Sequence, residues 1–167
     1  MTNFGTAILV AGASLALSGA SAMAQGSETI GTFSRSDLEV ALGANDTKWE
    51  AHPDNNSINV IFSNGFHANA ALMACEDSDI LENCYGTSIL ATFAPPENAS
   101  PADIAEAVSA YNYRQNFGRA YVDPEGTLSV RIYIISDGGI TRENYRRQIE
   151  LWSMSLEKLY GYFDSAE

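Results

Sequence analysis

The sequence predicts an α+β fold: an antiparallel sheet of about five strands with three helices, in the order α-β-β-β-α-β-β-α. Three observations carry this. Leu128, Val130, Ile132 and Ile134 alternate with Ser129, Arg131 and Tyr133, the period of a strand with one buried face. Ser57 to Phe62 alternates in the same way and runs into Asn64-Gly65, a hairpin dipeptide. Tyr145, Ile149, Trp152, Leu156, Leu159 and Phe163 recur at steps of four and three, the apolar stripe of a long amphipathic helix. Such a helix covers one face of an antiparallel sheet.

The elements follow in order. Residues 25–33 are small and polar and read as a flexible leader to a domain spanning 34–164. Ser36 and Glu39 have capping-box spacing, so a first helix starts there, buries Leu38, Ala41 and Leu42, and stops at Gly43. Asn45 to Ser57 is polar and reads as loop. The first strand carries Ile58, Val60 and Phe62 on one face, and Phe66 to Cys75 returns from the Asn64-Gly65 turn. The acidic tip Glu76 to Asn83 leads to a third strand with Tyr85, Thr87, Ile89, Ala91 and Phe93, which Pro95-Pro96 ends. Ser100 caps a second helix with Pro101 at its first position, Asp103 facing the positive end of the dipole, and Ile104, Ala107, Val108, Tyr111 and Gln115 along one side. Gly118 ends it. Arg119 to Val122 is a short strand, Asp123-Pro124-Glu125-Gly126 a turn, and Leu128 onward the cleanest strand. Asp137-Gly138-Gly139 breaks that strand, and Thr141 caps the last helix.

The first residues describe export. Ala7 to Ala20 is apolar or small but too short to span a bilayer, and Ala22-Met23-Ala24 forms a small-x-small cleavage site. Residues 1–24 therefore read as a signal peptide cleaved after Ala24, although no Lys or Arg precedes the apolar run. The expected location is periplasmic, with no membrane insertion after cleavage. The 143 residues left suit one domain with its own core.

Net charge is −12, and it is uneven: Gln25 to Tyr113 holds 13 acids and two bases, Arg114 to Glu167 eight acids and seven bases. An acidic surface repels phosphate backbones, which argues against nucleic acid as a partner. Two cysteines, Cys75 and Cys84, survive processing. In an oxidising compartment the pair reads as a disulfide closing a ten-residue loop, worth about 2.5 kcal/mol by chain entropy. A zinc site needs four ligands, and His52 and His67, the only histidines, show no ligand spacing; a redox pair is normally Cys-x-x-Cys.

From Tyr111-Asn112-Tyr113-Arg114-Gln115-Asn116-Phe117-Gly118-Arg119-Ala120-Tyr121-Val122-Asp123 the sequence resembles the YbjN-domain family, labelled bacterial sensory transduction regulators. Gly138-Gly139-Ile140-Thr141 before a long helix also matches, as do the signal peptide and the cysteine-flanked loop of exported alphaproteobacterial members. Tyr111 stands where Trp is common. The resemblance implies a fold similar to type III secretion chaperones, which are small acidic dimers that bind extended partner segments. It implies no enzyme activity and no cofactor. The motif residues it marks as binding or structural are Tyr111, Asn112, Phe117, Gly118, Arg119, Gly138 and Gly139.

Read residue by residue, the chain holds no Gly-x-Ser-x-Gly, no phosphate-cradling loop and no calcium-loop register. No catalytic residue, cofactor or metal site is expected. Arg114 and Arg119, which flank Phe117-Gly118, read as caps of the second helix that pair with the acidic first half, with an anion or carboxylate pocket at the helix end as the other reading. The expected function is a non-enzymatic periplasmic binding or regulatory module that engages a protein or peptide partner in a chaperone-like manner, with a homodimer as a further expectation. The alternative is a small-molecule or calcium sensor that uses the acidic tip, residues 76–82.

Overall fold

One buried stripe on a long helix and one face of a sheet make the core. In the computed structural model, which describes residues 28–52 and 55–163, the chain runs through β1 (Thr29–Ile30), α1 (Arg35–Gly43), β2 (Lys48–Ala51), β3 (Ile58–Ile61), β4 (His67–Asp77), β5 (Glu82–Phe93), α2 (Pro101–Arg114), β6 (Arg119–Val122), β7 (Leu128–Ile135), β8 (Ile140–Thr141) and α3 (Arg142–Gly161). Six strands form an antiparallel sheet in the order β2-β3-β4-β5-β7-β6, and β1 pairs with β8 in a separate ribbon. The connection through α2 carries the chain past the β7 position to the far edge, and β7 returns to pair with both β5 and β6. The fold is α+β with three helices, as the pattern predicts, with one more strand in the main sheet than expected.

On the inner face Ile58, Val60, Ala70, Ile89, Ala91, Leu128, Val130 and Ile134 are buried, and Tyr145, Ile149, Trp152, Leu156 and Leu159 of α3 are buried with them. Each of the large side chains is worth about 1.5–3 kcal/mol when fully removed from water. The packing is specific. Phe62 meets the Trp152 ring edge-on at 5.7 Å, and Phe33 stacks on Tyr145 at 4.2 Å. The polar tips are paired: Tyr145 and Thr87 share a hydrogen bond of 2.8 Å, and Tyr111 and Ser155 one of 2.6 Å. Ser155 spends its own proton on the Trp152 carbonyl at 2.7 Å, so Tyr111 is the donor to Ser155.

The helix caps at Ser100 and Thr141 stand where the sequence puts them. Four readings need correction. The capping box of α1 is Ser34 with Asp37, two residues before Ser36 and Glu39, because Arg35 already lies in the helix and reaches Glu39 across one turn at 2.8 Å. Gly43 is the last helical residue and does not reverse the chain; Ala44 caps the helix, and Asp46 takes the left-handed turn with φ 53°. Residues 48–51, read as loop, form edge strand β2, whose four side chains are all exposed and therefore show no alternation. The segment read as a flexible leader is built into the fold from residue 28 on: Ile30 pairs with Ile140, and Phe33 is buried and exchanges two backbone hydrogen bonds with Cys84 at 2.7 and 2.9 Å. The expected signal peptide, residues 1–24, lies outside the described residues. Among the described residues no helix is long and apolar enough to cross a membrane.

Candidate interaction surface

The family motif builds the corner where α2, β6 and α3 meet. Tyr111 is fully buried. Asn112, one residue on, turns the other way: its amide donates to the Ala120 carbonyl at 3.0 Å and its Oδ1 accepts the Ala120 N–H at 2.9 Å. A side chain thus imitates a neighbouring strand and occupies the outer edge of β6. Gly118 was expected to end α2, but the helix closes at Gln115, whose backbone is extended. Gly118 is needed for space: a Cβ there would sit 2.8 Å from Trp152 Cδ1 and 3.1 Å from the Tyr111 hydroxyl. Gly138 and Gly139 have φ of 83° and 92°, the left-handed region that spares glycine, and they turn β7 into β8. A Cβ at Gly139 would also strike Thr29 Cγ2 at 2.8 Å, so the turn makes room for β1. Phe117 is more than a third exposed. Arg119 lies on β6, and no acid among the described residues pairs with it or with Arg114, against the expectation that both meet the acidic first half.

The helices occupy the inner face of the sheet, and the opposite face is uncovered among the described residues. Register carries one rung across all six strands: Arg119, Arg131, Leu90, Asn69, Asn59 and Glu50. Neighbouring rungs place Tyr121 beside Ser129, Tyr133 beside Ser88, Ile135 beside Gly86, and Lys48 beside Ile61. Apolar side chains stand in water on this face: Ile61 is 39 % exposed, Met73 43 %, Tyr133 54 % and Ile135 59 %. Two depressions share Asn69 and Leu90, one of about 470 Å³ beside Trp49, Ile61 and His67, and one of about 280 Å³ beside Met73, Ser88 and Arg131. The Arg131 guanidinium lies over Tyr121 at 5.6 Å and Tyr133 at 5.5 Å, and its Nη1 donates to the Tyr133 hydroxyl at 2.7 Å.

Cys75 and Cys84 are joined by a disulfide between directly paired positions of β4 and β5. The strands run past it, so the tip read as Glu76 to Asn83 is a turn of residues 78–81 only. Two of the four carboxylates between 76 and 82 are engaged locally. Asp77 accepts the N–H groups of Asp79 and Ile80 at 2.9 and 3.3 Å, and Glu76 accepts from Asn83 and the Tyr85 hydroxyl at 3.1 and 2.9 Å. Among the described residues no three His, Cys, Asp or Glu side chains are grouped to hold a metal ion. His67 opens β4 on the uncovered face, while His52 follows β2 with its N–H on the Ser57 carbonyl at 3.0 Å.

The sequence marks the motif corner but not the uncovered face, since along the chain Arg131 and Tyr133 are simply the polar alternates of β7. The turn at residues 123–126 held the missing signal, since Val122 opposite Leu128 sets Arg119 against Arg131 and Tyr121 against Ser129.

The family model for YbjN, described as "Putative bacterial sensory transduction regulator", matches residues 38–165. Among solved structures the chain is similar to "YbjN, a putative transcription regulator from E. coli", with a TM-score of 0.53 and 15 % identity over 72 % of this chain and 87 % of that one. No curated protein matches.

Proposed function

Because the chain belongs to the YbjN family, we propose that it is an exported, non-enzymatic regulatory module that works by holding a protein or peptide segment against the uncovered sheet face. The observation that carries this is the exposure of Ile61, Met73, Tyr133 and Ile135 together on a face that no helix covers among the described residues. Rows of exposed apolar groups rimmed by polar ones mark interaction sites. The two connected depressions, of about 470 and 280 Å³, suit successive side chains of an extended segment, in the manner that the chaperone resemblance implies. Export is supported by the apolar run from Ala7 to Ala20, by the cleavage site before Gln25 and by the Cys75–Cys84 disulfide, which persists in oxidising compartments.

A photo-crosslinking residue placed at Ile61 or Ile135, with an exposed helix position such as Glu157 as control, tests the reading in periplasm-exporting cells. The expected result is a discrete adduct from the sheet positions, absent from the control and lost when Met73→Asp is added. Adducts that are the same from all three positions would remove the reading. A second copy is the competing occupant of the face; light scattering at micromolar concentration detects it, and loss of the dimer in Ile135→Asp would assign the face to self-association.

A further inference from the structure

We propose that Arg119 and Arg131, with Tyr121 and Tyr133, form a carboxylate-binding site that selects acidic partner segments. The proposal deepens the reading of the sheet face as an interaction surface and rests on it.

The first observation is a charge conflict. Arg119 and Arg131 are Cα partners in register, so two guanidinium groups stand on directly opposed positions of one face. Like charges so placed are unfavourable. The chain has 21 acids against nine bases, and acids pair with Arg35, Arg142, Arg146 and Arg147. Yet among the described residues no acid reaches Arg119 or Arg131. The rung that holds them continues through Leu90, Asn69 and Asn59 before its one carboxylate, Glu50, at the far edge of the sheet.

The second observation is that Arg131 is already prepared. Two phenol rings hold its guanidinium, and Nη1 is fixed on the Tyr133 hydroxyl. Its Nε is buried and has no acceptor. A donor removed from water without a partner costs about 1–3 kcal/mol, more when it is charged. The Nε is closed to a ligand, but an incoming carboxylate neutralises the opposed charges and offers the planar acceptor that the remaining guanidinium N–H groups match.

The third observation is the setting. The depression beside Arg131 holds about 280 Å³, with Met73 and Leu90 as apolar lining and Ser88 and Asn69 as polar groups. That suits an acidic side chain flanked by an apolar one. A polyanion such as nucleic acid is disfavoured by the net charge of −12, whereas a short acidic segment meets the two arginines at close range.

The test uses a fluorescein-labelled octapeptide alternating Glu and Leu, and the same peptide with Gln for Glu, titrated into the mature protein and followed by anisotropy. The Glu peptide is expected to bind about tenfold tighter, the difference between a charge-assisted and a neutral hydrogen bond. Its affinity is expected to fall with added salt. Arg119→Gln and Arg131→Gln are expected to erase the preference, and Arg131→Lys to retain part of it, with melting curves establishing that each variant is folded. Equal affinity for the two peptides, or failure of both to bind, overturns the carboxylate site. The crosslinks from Ile61 and Ile135 report the face independently, so the site can fail while the face stands.

Discussion

Asn112 seals the β6 edge by taking both hydrogen bonds that Ala120 would offer to another strand, at 3.0 and 2.9 Å. Open sheet edges recruit other chains, and this one is plugged from within by the helix that precedes it. Asn112→Ala leaves a backbone donor and acceptor without partners at a packed corner. The expected loss is about 1–3 kcal/mol in urea unfolding, together with concentration-dependent association. A variant as stable and as monodisperse as the parent would show that the plug contributes nothing.

Gly118 faces the edge of the Trp152 ring with no room to spare, at 2.8 Å for an added Cβ. Gly118→Ala should therefore overpack the corner and cost about 1–3 kcal/mol, read as a melting temperature lower by several degrees. Trp152→Phe in the same chain is expected to recover part of that loss, because the smaller ring vacates the position of Cδ1 and Nε1.

Asp37 joins α1 to α3 through Arg142, while Arg142 also reaches Glu28 at 2.9 Å. Burial alone raises the Asp37 carboxyl, but hydrogen bonds from Ser34 and Arg142 outweigh it and hold the group below its ordinary 3.8. A carboxyl lowered by folding stabilises above its unfolded pKa and loses that contribution as pH falls through its folded one. Asp37→Asn should be less stable than the parent at pH 7, and the gap should begin to narrow below about pH 4 and close as pH falls through the folded pKa. Denaturant midpoints of both proteins at pH 7 and pH 3 check this; a gap that is constant with pH would exclude the charge as its cause.

The disulfide should contribute about 2.5 kcal/mol, so Cys75→Ser with Cys84→Ser is expected to lower the urea midpoint accordingly, as is reductant acting on the parent. Cys84 is fully buried and bridged to Phe33, so the effect should spread to β1 and appear as faster amide exchange at Phe33. An unchanged midpoint would make the bond a passenger.

Strong periodicity made α3, β7 and the Asn64-Gly65 hairpin legible, since each buries one face against something large. The Ser100 and Thr141 caps were legible because capping is local chemistry. Elements without a buried face escaped: Lys48 to Ala51 pairs only through backbone, and Thr29 and Ile30 make a strand of two residues against a partner more than a hundred positions away. Ser34 and Ser36 are both good caps, and the choice between them falls to Asp37, which serves the cap and Arg142 at once. The motif glycine at 118 looked like a helix stop because its reason, the Trp152 ring, is distant in sequence. The uncovered face was hidden for a similar cause: Arg119, Tyr121, Arg131 and Tyr133 become one cluster only when a turn fixes which rungs they share.

The ribbon at the amino end has a consequence for the order of synthesis. Glu28 to Phe33 find their partners at Cys84, Ile140, Thr141 and the Arg142 N–H, so the first described residues are paired only after the main sheet is complete in sequence. A chain released before residue 140 has every strand of the main sheet but leaves Ile30 in water. The ribbon thus closes only once residues 140–142 are present, and it ties Thr29 and Ile30 to the start of α3.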